Sequence, residues 1–184
     1  MTKCASCRQP FDRLRANQQV CSVECAAALA KTRREKQEQR KAQETRRQIR
    51  EAKERIKSRT KWIAEAQSAF NAWIRWRDRN LPCISCGRFH TGAWDAGHYQ
   101  NAHNHSAIRF DERNVHRQCV PCNQHQGGNK VEYRRGLVER VGVEIVEFLE
   151  GPHENKKWTI DEAREIKAKY RALLAKARKE ETCA

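Results

Sequence analysis

Eight of the nine cysteines in this 184-residue chain fall in four close pairs: Cys4 with Cys7, Cys21 with Cys25, Cys83 with Cys86, and Cys119 with Cys122. A close pair presents two sulfurs from one tight turn. Two such pairs close a tetrahedral metal site that ties separate stretches of chain together. Doubled pairs are a ligand pattern, because redox motifs do not come paired in this way. The sequence therefore predicts two structural Zn²⁺ ions, one held by Cys4, Cys7, Cys21 and Cys25, the other by Cys83, Cys86, Cys119 and Cys122. Cys183 reads as a free tail thiol. Thiols kept for metal imply a reducing compartment. The opening residues Met1 to Cys7 lack an apolar leader segment, and no apolar stretch reaches the length of a membrane span. The expected location is the cytoplasm (of the host cell if the protein is phage-encoded), with no membrane partner.

Charge narrows the partner. The chain carries 38 Lys and Arg against 23 Asp and Glu, a formal net charge of +15. A balance this basic calls for a polyanion, and DNA is the usual one. The mean hydropathy of −1.00 leaves little apolar material for a core, so part of the chain is expected to be solvated.

Four segments follow from local composition. Residues 1–26 form an N-terminal zinc module, too short to hold shape without metal. Residues 27–60 read as a basic helical arm. The stretch 31–61 has fourteen Lys and Arg against five Glu, no Gly or Pro, and no heptad of apolar residues. Arg33, Arg34, Lys36, Arg40, Lys41, Arg46, Arg47, Arg50 and Lys53 are its candidate phosphate contacts, since cations beside phosphates release counterions. Residues 61–153 contain the second cysteine set. They start with a helix whose apolar positions, Trp62, Ile63, Ala66, Phe70, Trp73 and Ile74, recur at helical spacing. Gly136 and Gly142 suggest two short helices between residues 131 and 150. Residues 154–184 read as a C-terminal helix opened by a capping box, Thr159 with Glu162. The fold class is α+β and mostly helical.

The candidate chemistry lies between the second cysteine pairs. Trp94 to Tyr99 reads as a short strand, with Asp95, Gly97 and Tyr99 on one face and Trp94, Ala96 and His98 on the other. Phosphodiester hydrolysis needs an activated water and a Lewis acid on the phosphoryl oxygen. Neutral His98 can take the water proton. Asp95 and Asn123 offer oxygens suited to Mg²⁺ or Mn²⁺.

This arrangement (a cysteine pair, then His98, then Asn114, then Cys119 and Cys122 followed at once by Asn123) resembles the HNH, or His-Me finger, endonucleases. The closer likeness is to the NinG (Rap) recombination family of lambdoid phages. It rests on Cys83-Ile84-Ser85-Cys86-Gly87, Trp94 to Tyr99, Arg109-Phe110, Glu112-Arg113-Asn114, Cys119-Val120 and Cys122-Asn123-Gln124-His125. The resemblance implies a small ββα-metal core braced by the Cys4 zinc. It implies a metal-dependent endonuclease for branched recombination intermediates, Holliday junctions and D-loops, working as a homodimer because resolving a junction takes two symmetric cuts. It implies His98 as general base, Asn114 as the residue that holds the hairpin or orients His98, and Asn123 as a ligand of the catalytic metal, with Asp95 beside it. Many HNH enzymes carry Asp immediately before the base; here that residue is Gly97. Asp95, His125, His116 and Asn129 are the candidates to complete the site. Arg109 is a candidate DNA contact. The alternative is a non-catalytic zinc-finger DNA-binding or adaptor protein on a degenerate HNH scaffold.

Overall fold

The computed structural model describes residues 2–182, so Cys183 lies outside the described residues. The chain divides into two compact units, Met1–Lys57 and Ser58–Ala184.

In the first unit β1 (Thr2–Lys3) pairs antiparallel with β2 (Pro10–Phe11). Between them Arg8 takes a left-handed turn, φ 66°, and its N–H donates to Cys4 O at 3.0 Å. That turn brings Cys4 and Cys7 together. The chain then enters α1 (Val23–Arg55), capped by Ser22, whose hydroxyl accepts from Cys25 N at 3.3 Å. The last cysteine of the module thus sits in the first turn of the basic helix, ahead of the boundary expected after residue 26. α1 has 33 residues, about 50 Å of helix at 1.5 Å per residue, and buries no side chain. It depends on helix propensity and on surface pairs such as Arg34 with Glu38 (3.1 Å) and Arg47 with Glu44 (2.9 Å), each contributing only about 0.2–0.5 kcal/mol.

The second unit centres on a hairpin. β3 (Trp94–His98) and β4 (Val115–Cys119) pair antiparallel in a register that sets Gly97 opposite His116 and His98 opposite Val115. One face of the hairpin meets α2 (Arg59–Arg77) and α5 (Ile160–Thr182) in a core of Trp62, Phe70, Ile74, Phe110, Val115 and Tyr170. The other face meets α3 (Lys130–Val141) and α4 (Val143–Glu150) through Tyr99, Tyr133, Leu137, Val146 and Leu149. Each such large apolar side chain contributes roughly 1.5–3 kcal/mol by leaving water. The capping box is formed as expected: Thr159 Oγ1 accepts from Glu162 N at 3.2 Å, and Glu162 Oε2 accepts from Thr159 N at 2.8 Å. α5 shares the α2 core, so residues 154–184 are not a separate layer of the second unit.

The helix break expected from two glycines occurs at one. Gly142 has φ 88° and separates α3 from α4. Gly136 lies inside α3, where a Cβ would come within 2.0 Å of the Ile84 carbonyl oxygen. Its missing side chain lets α3 press against the turn between Cys83 and Cys86.

A buried polar knot, not foreseen from the sequence, fastens the end of α2 to β4. Asp78 accepts from Arg77 Nε at 2.7 Å and from Arg117 N at 3.0 Å, and lies 3.5 Å from His116 Nδ1. Burial pushes the Asp78 carboxyl up, but hydrogen bonds from His116 and Arg77 outweigh it and hold the group well below the usual carboxylate range.

Candidate functional site

Both cysteine sets converge. In each, the four sulfurs lie within 4.8 Å of one another. Four sulfurs 2.3 Å from a shared zinc would sit roughly 3.8 Å apart. Cys7 to Cys21 and Cys21 to Cys25 are each 3.6 Å, and Cys86 to Cys119 is 4.0 Å, so both sets fit a tetrahedral zinc. Backbone amides support the sulfurs: Cys21 N donates to Cys4 Sγ and Cys119 N to Cys83 Sγ, both at 3.4 Å. At the second set Asn129 Nδ2 reaches Cys122 Sγ at 3.7 Å, and His90 Nε2 lies 3.2 Å from Cys86 Sγ. Those two side chains form an outer shell that orients the ligands. His90 went unnoticed in the sequence, where nothing distinguishes it from the other loop histidines.

Beside the second set lies a cleft of about 430 Å³ lined by Ala96, His98, Asn101, Ala102, Asn123, Gly127, Gly128 and Lys130. Three elements build it. β3 brings His98, whose ring packs 6.5 Å from Phe70 of α2. A single wide turn, Pro121–His125, carries Asn123 out of the Cys119–Cys122 knuckle. The start of α3 supplies Lys130, exposed, with Nζ 3.4 Å from His98 O. Asn101, Lys130 and the two glycines were not singled out in the sequence, because only the fold gathers them.

The His98 ring is oriented by its neighbour. Its Nε2 lies 3.1 Å from the Arg109 carbonyl, which can only accept, so Nε2 carries the proton and the lone pair falls on Nδ1. Burial lowers the His98 pKa, which keeps the ring neutral near pH 7. Asn123 and Gln124 both donate to Asp95 Oδ2 at 2.8 Å. The structure thus joins Asp95 to Asn123, and Asn123 to the His98 cleft. Asn114, fully buried, clamps the loop behind the hairpin: its Oδ1 accepts from Gln100 N at 2.8 Å, and its Nδ2 donates to Gln100 O at 3.0 Å and Ile108 O at 3.2 Å.

Other candidates fall elsewhere. His116 is buried on the opposite face of the hairpin, in the Asp78 knot. Asn129 serves the cysteine site. His125 is exposed and is not among the residues that line the cleft. At Gly97 an added Cβ would sit 2.1 Å from Gln118 Oε1, so an acid there would require the buried Gln118 side chain to move. Arg109 braces its own loop, donating to Ala102 O at 2.9 Å. The nine arm residues from Arg33 to Lys53 are all exposed on α1. Among the described residues, three or more His, Cys, Asp or Glu side chains come close enough to share one metal ion only at the two cysteine sets. The cleft therefore offers one imidazole, amide oxygens and an ammonium, with the Asp95 carboxylate behind Asn123. That donor set fits a hard cation which keeps much of its shell in water and phosphate oxygen, as Mg²⁺ does.

Fold and sites together define a strongly basic α+β protein with two four-cysteine sites and a cleft of amide, imidazole and ammonium groups beside the second. The chain belongs to the NinG family: the family model described as Bacteriophage Lambda NinG protein matches residues 1–181. Protein ninG of Salmonella phage P22 is 44% identical over 180 residues, covering 91% of this chain and 88% of the relative. That of Escherichia phage lambda has the same identity and coverage. Protein ninG of Escherichia phage 933W is 44% identical over 184 residues, covering 94% and 91%. No solved structure matches. Among the described residues no helix is long and apolar enough to cross a membrane.

Proposed function

We propose that the protein is a metal-dependent DNA endonuclease of the HNH type that cuts branched recombination intermediates. The observation that carries this reading is the cleft: His98, with Nε2 turned onto the Arg109 carbonyl, shares it with Asn123 and Lys130. His98 Nδ1 takes the proton of a water that attacks the phosphorus; the P–O bond to the departing sugar oxygen breaks, and that oxygen takes its proton from solvent water. Lys130 draws the phosphate in. Asn114 keeps the loop closed, so that the Arg109 carbonyl stays on His98. Asn123 and Asp95 would hold a divalent cation, Mg²⁺ or Mn²⁺, which supplies Lewis-acid stabilisation of the phosphoryl charge. A zinc held by Cys83, Cys86, Cys119 and Cys122 would fix β3 against the Asn123 turn and do no chemistry. The exposed cations of α1 add sequence-blind grip on the duplex. Cutting both strands of a junction symmetrically calls for two copies of the chain.

His98→Ala should abolish cleavage of four-way DNA in Mg²⁺ while binding stays within a few-fold. Cutting at the wild-type rate would remove His98 as the base. Equal cutting of linear, forked and four-way DNA would leave a general nuclease.

One observation favours a second reading, a DNA-binding adaptor without catalysis: Gly97 stands where HNH enzymes carry an acid, and no carboxylate is among the residues that line the cleft. Titration with EDTA separates the two. Activity lost and then restored by Mg²⁺ or Mn²⁺ supports the nuclease; no cutting with any divalent ion supports the adaptor.

A further inference from the structure

A second, larger groove of about 830 Å³ runs along α2. Its floor is a stripe repeating every fourth residue: Arg59, Ile63, Gln67, Asn71 and Arg75. Positions four apart stack on one helix face. From the first to the last of them the helix rises about 24 Å, the length of about seven nucleotide steps at 3.4 Å each. Arg109 closes one side, its guanidinium 3.4 Å from Gln67 Oε1, and Gln67 Nε2 donates onward to Asn71 Oδ1 at 2.8 Å.

Three features make this groove more than a solvated helix face. Among the described residues no carboxylate pairs with Arg59, Arg75 or Arg109, whereas Arg77, Arg79, Arg113 and Arg134 all have acidic partners. Between the cations, beside Ile63 and Ala64, the groove presents the amides of Gln67 and Asn71 and the hydroxyls of Thr60 and Ser68, groups that donate to phosphate and sugar oxygens without reading bases. The groove also shares a wall with the His98 cleft. Arg109 lines the groove, its guanidinium binds the Ala102 carbonyl, and Ala102 lines the cleft. The Arg109 carbonyl in turn faces His98.

We infer that this groove seats the sugar-phosphate backbone of the DNA strand flanking the scissile phosphate, so that one strand runs from the His98 cleft along α2. The inference rests on the nuclease reading for its far end, and it gives that reading a direction: one arm of the substrate lies on α2.

The test uses the full zinc-loaded chain, an Arg59→Gln/Arg75→Gln double variant, and binding to a four-way DNA without added Mg²⁺ or Mn²⁺, so that cleavage does not enter. With two phosphates no longer neutralised, the slope of log affinity against log salt should fall by about 1.8. Between about 50 and about 200 mM salt the wild type would then lose about twelvefold more affinity than the variant. A control pair off the groove, Arg135→Gln/Arg164→Gln, should leave the slope unchanged, and circular dichroism should show all proteins equally folded. A slope unchanged in the groove variant, or changed equally in the control, overturns the groove. His98→Ala is scored separately by cleavage. If it still cuts while the groove variant loses slope, the base assignment fails and the groove stands.

Discussion

At the N-terminal metal site Cys7 and Cys21 face solvent and only Cys4 is fully buried; at the central site Cys83, Cys119 and Cys122 are all buried, Trp94 packs on them, and Arg117 stacks 3.6 Å above the Trp94 ring. The first site is enclosed by a two-stranded ribbon of four residues and the first turn of α1. The second is enclosed by a unit with two apolar clusters of its own. In the first cysteine module zinc binding and folding would be one event, because little else opposes chain entropy there. In the second a zinc would join elements that already have reason to pack, and its work would be to fix where the Asn123 turn meets β3.

Substituting one cysteine at each site gives the widest separation. Cys119→Ser should drop zinc from two to one per chain and cost about 3 kcal/mol or more in the unfolding of residues 58–184. Cys21→Ser should also lose one zinc, yet leave that unfolding transition where it was. Equal effects in calorimetry would erase the distinction.

Next comes the close approach of α3 to the second knuckle. Gly136→Ala should destabilise the second unit by about 1–3 kcal/mol, since backbone must move away from Ile84. Gly97→Asp, which would supply the acid usual in HNH enzymes, should likewise destabilise the unit and fail to raise activity, because its side chain meets Gln118. A gain in cleavage from Gly97→Asp would mean that β3 is more pliable than the packing indicates.

Asn114→Ala leaves buried partners of the hairpin loop unsatisfied, at about 1–3 kcal/mol. Hydrogen exchange should rise in residues 99–113 and leave the ribbon at residues 2–11 untouched.

Acid should act on the second unit. Burial lowers the pKa of both His98 and His116 below their unfolded value near 6.5. The unfolded chain therefore binds more protons as pH falls, so stability that is complete above about 6.5 declines below it. Asp78, with its depressed carboxyl, extends the loss to lower pH. Denaturant midpoints measured between neutral pH and pH 5 should fall, and His116→Gln should flatten the decline.

The smallest effect on stability belongs to α1. Replacing Arg40, Lys41, Arg46, Arg47 and Arg50 with Gln should shift unfolding by no more than about 0.5 kcal/mol. The same change should reduce the salt dependence of DNA binding.

What the sequence disclosed divides along the same line. The ligand pairs, the strand from Trp94 to His98, the long basic helix and the capping box at Thr159 were all legible, because each is a local pattern. The ribbon at residues 2–11 was not, since two residues per strand carry no periodicity. Gly136 looked like a helix breaker because its partner, Ile84 O, lies 52 positions away in sequence. His116 looked like a stand-in ligand for the catalytic metal, but β4 turns it into the Asp78 knot. The α2 groove stayed hidden for a related reason: its stripe of four-residue spacing runs beside an apolar stripe of the same period, and only the packing shows which one faces out.

The pairing of α2 with α5 also sets an order of events during synthesis. The two helices are separated by some 80 residues of chain, yet Lys167 Nζ meets Glu65 at 2.7 Å and Tyr170 closes over Phe70 at 4.9 Å between ring centroids. Among the described residues α5 leaves the ribosome after the other α-helices. Until it docks, the face of Phe70 that Tyr170 covers stays open to water and to other nascent chains. A messenger truncated before codon 160 would yield a polypeptide able to form its hairpin but displaying that sticky face, a natural target for chaperones and proteases.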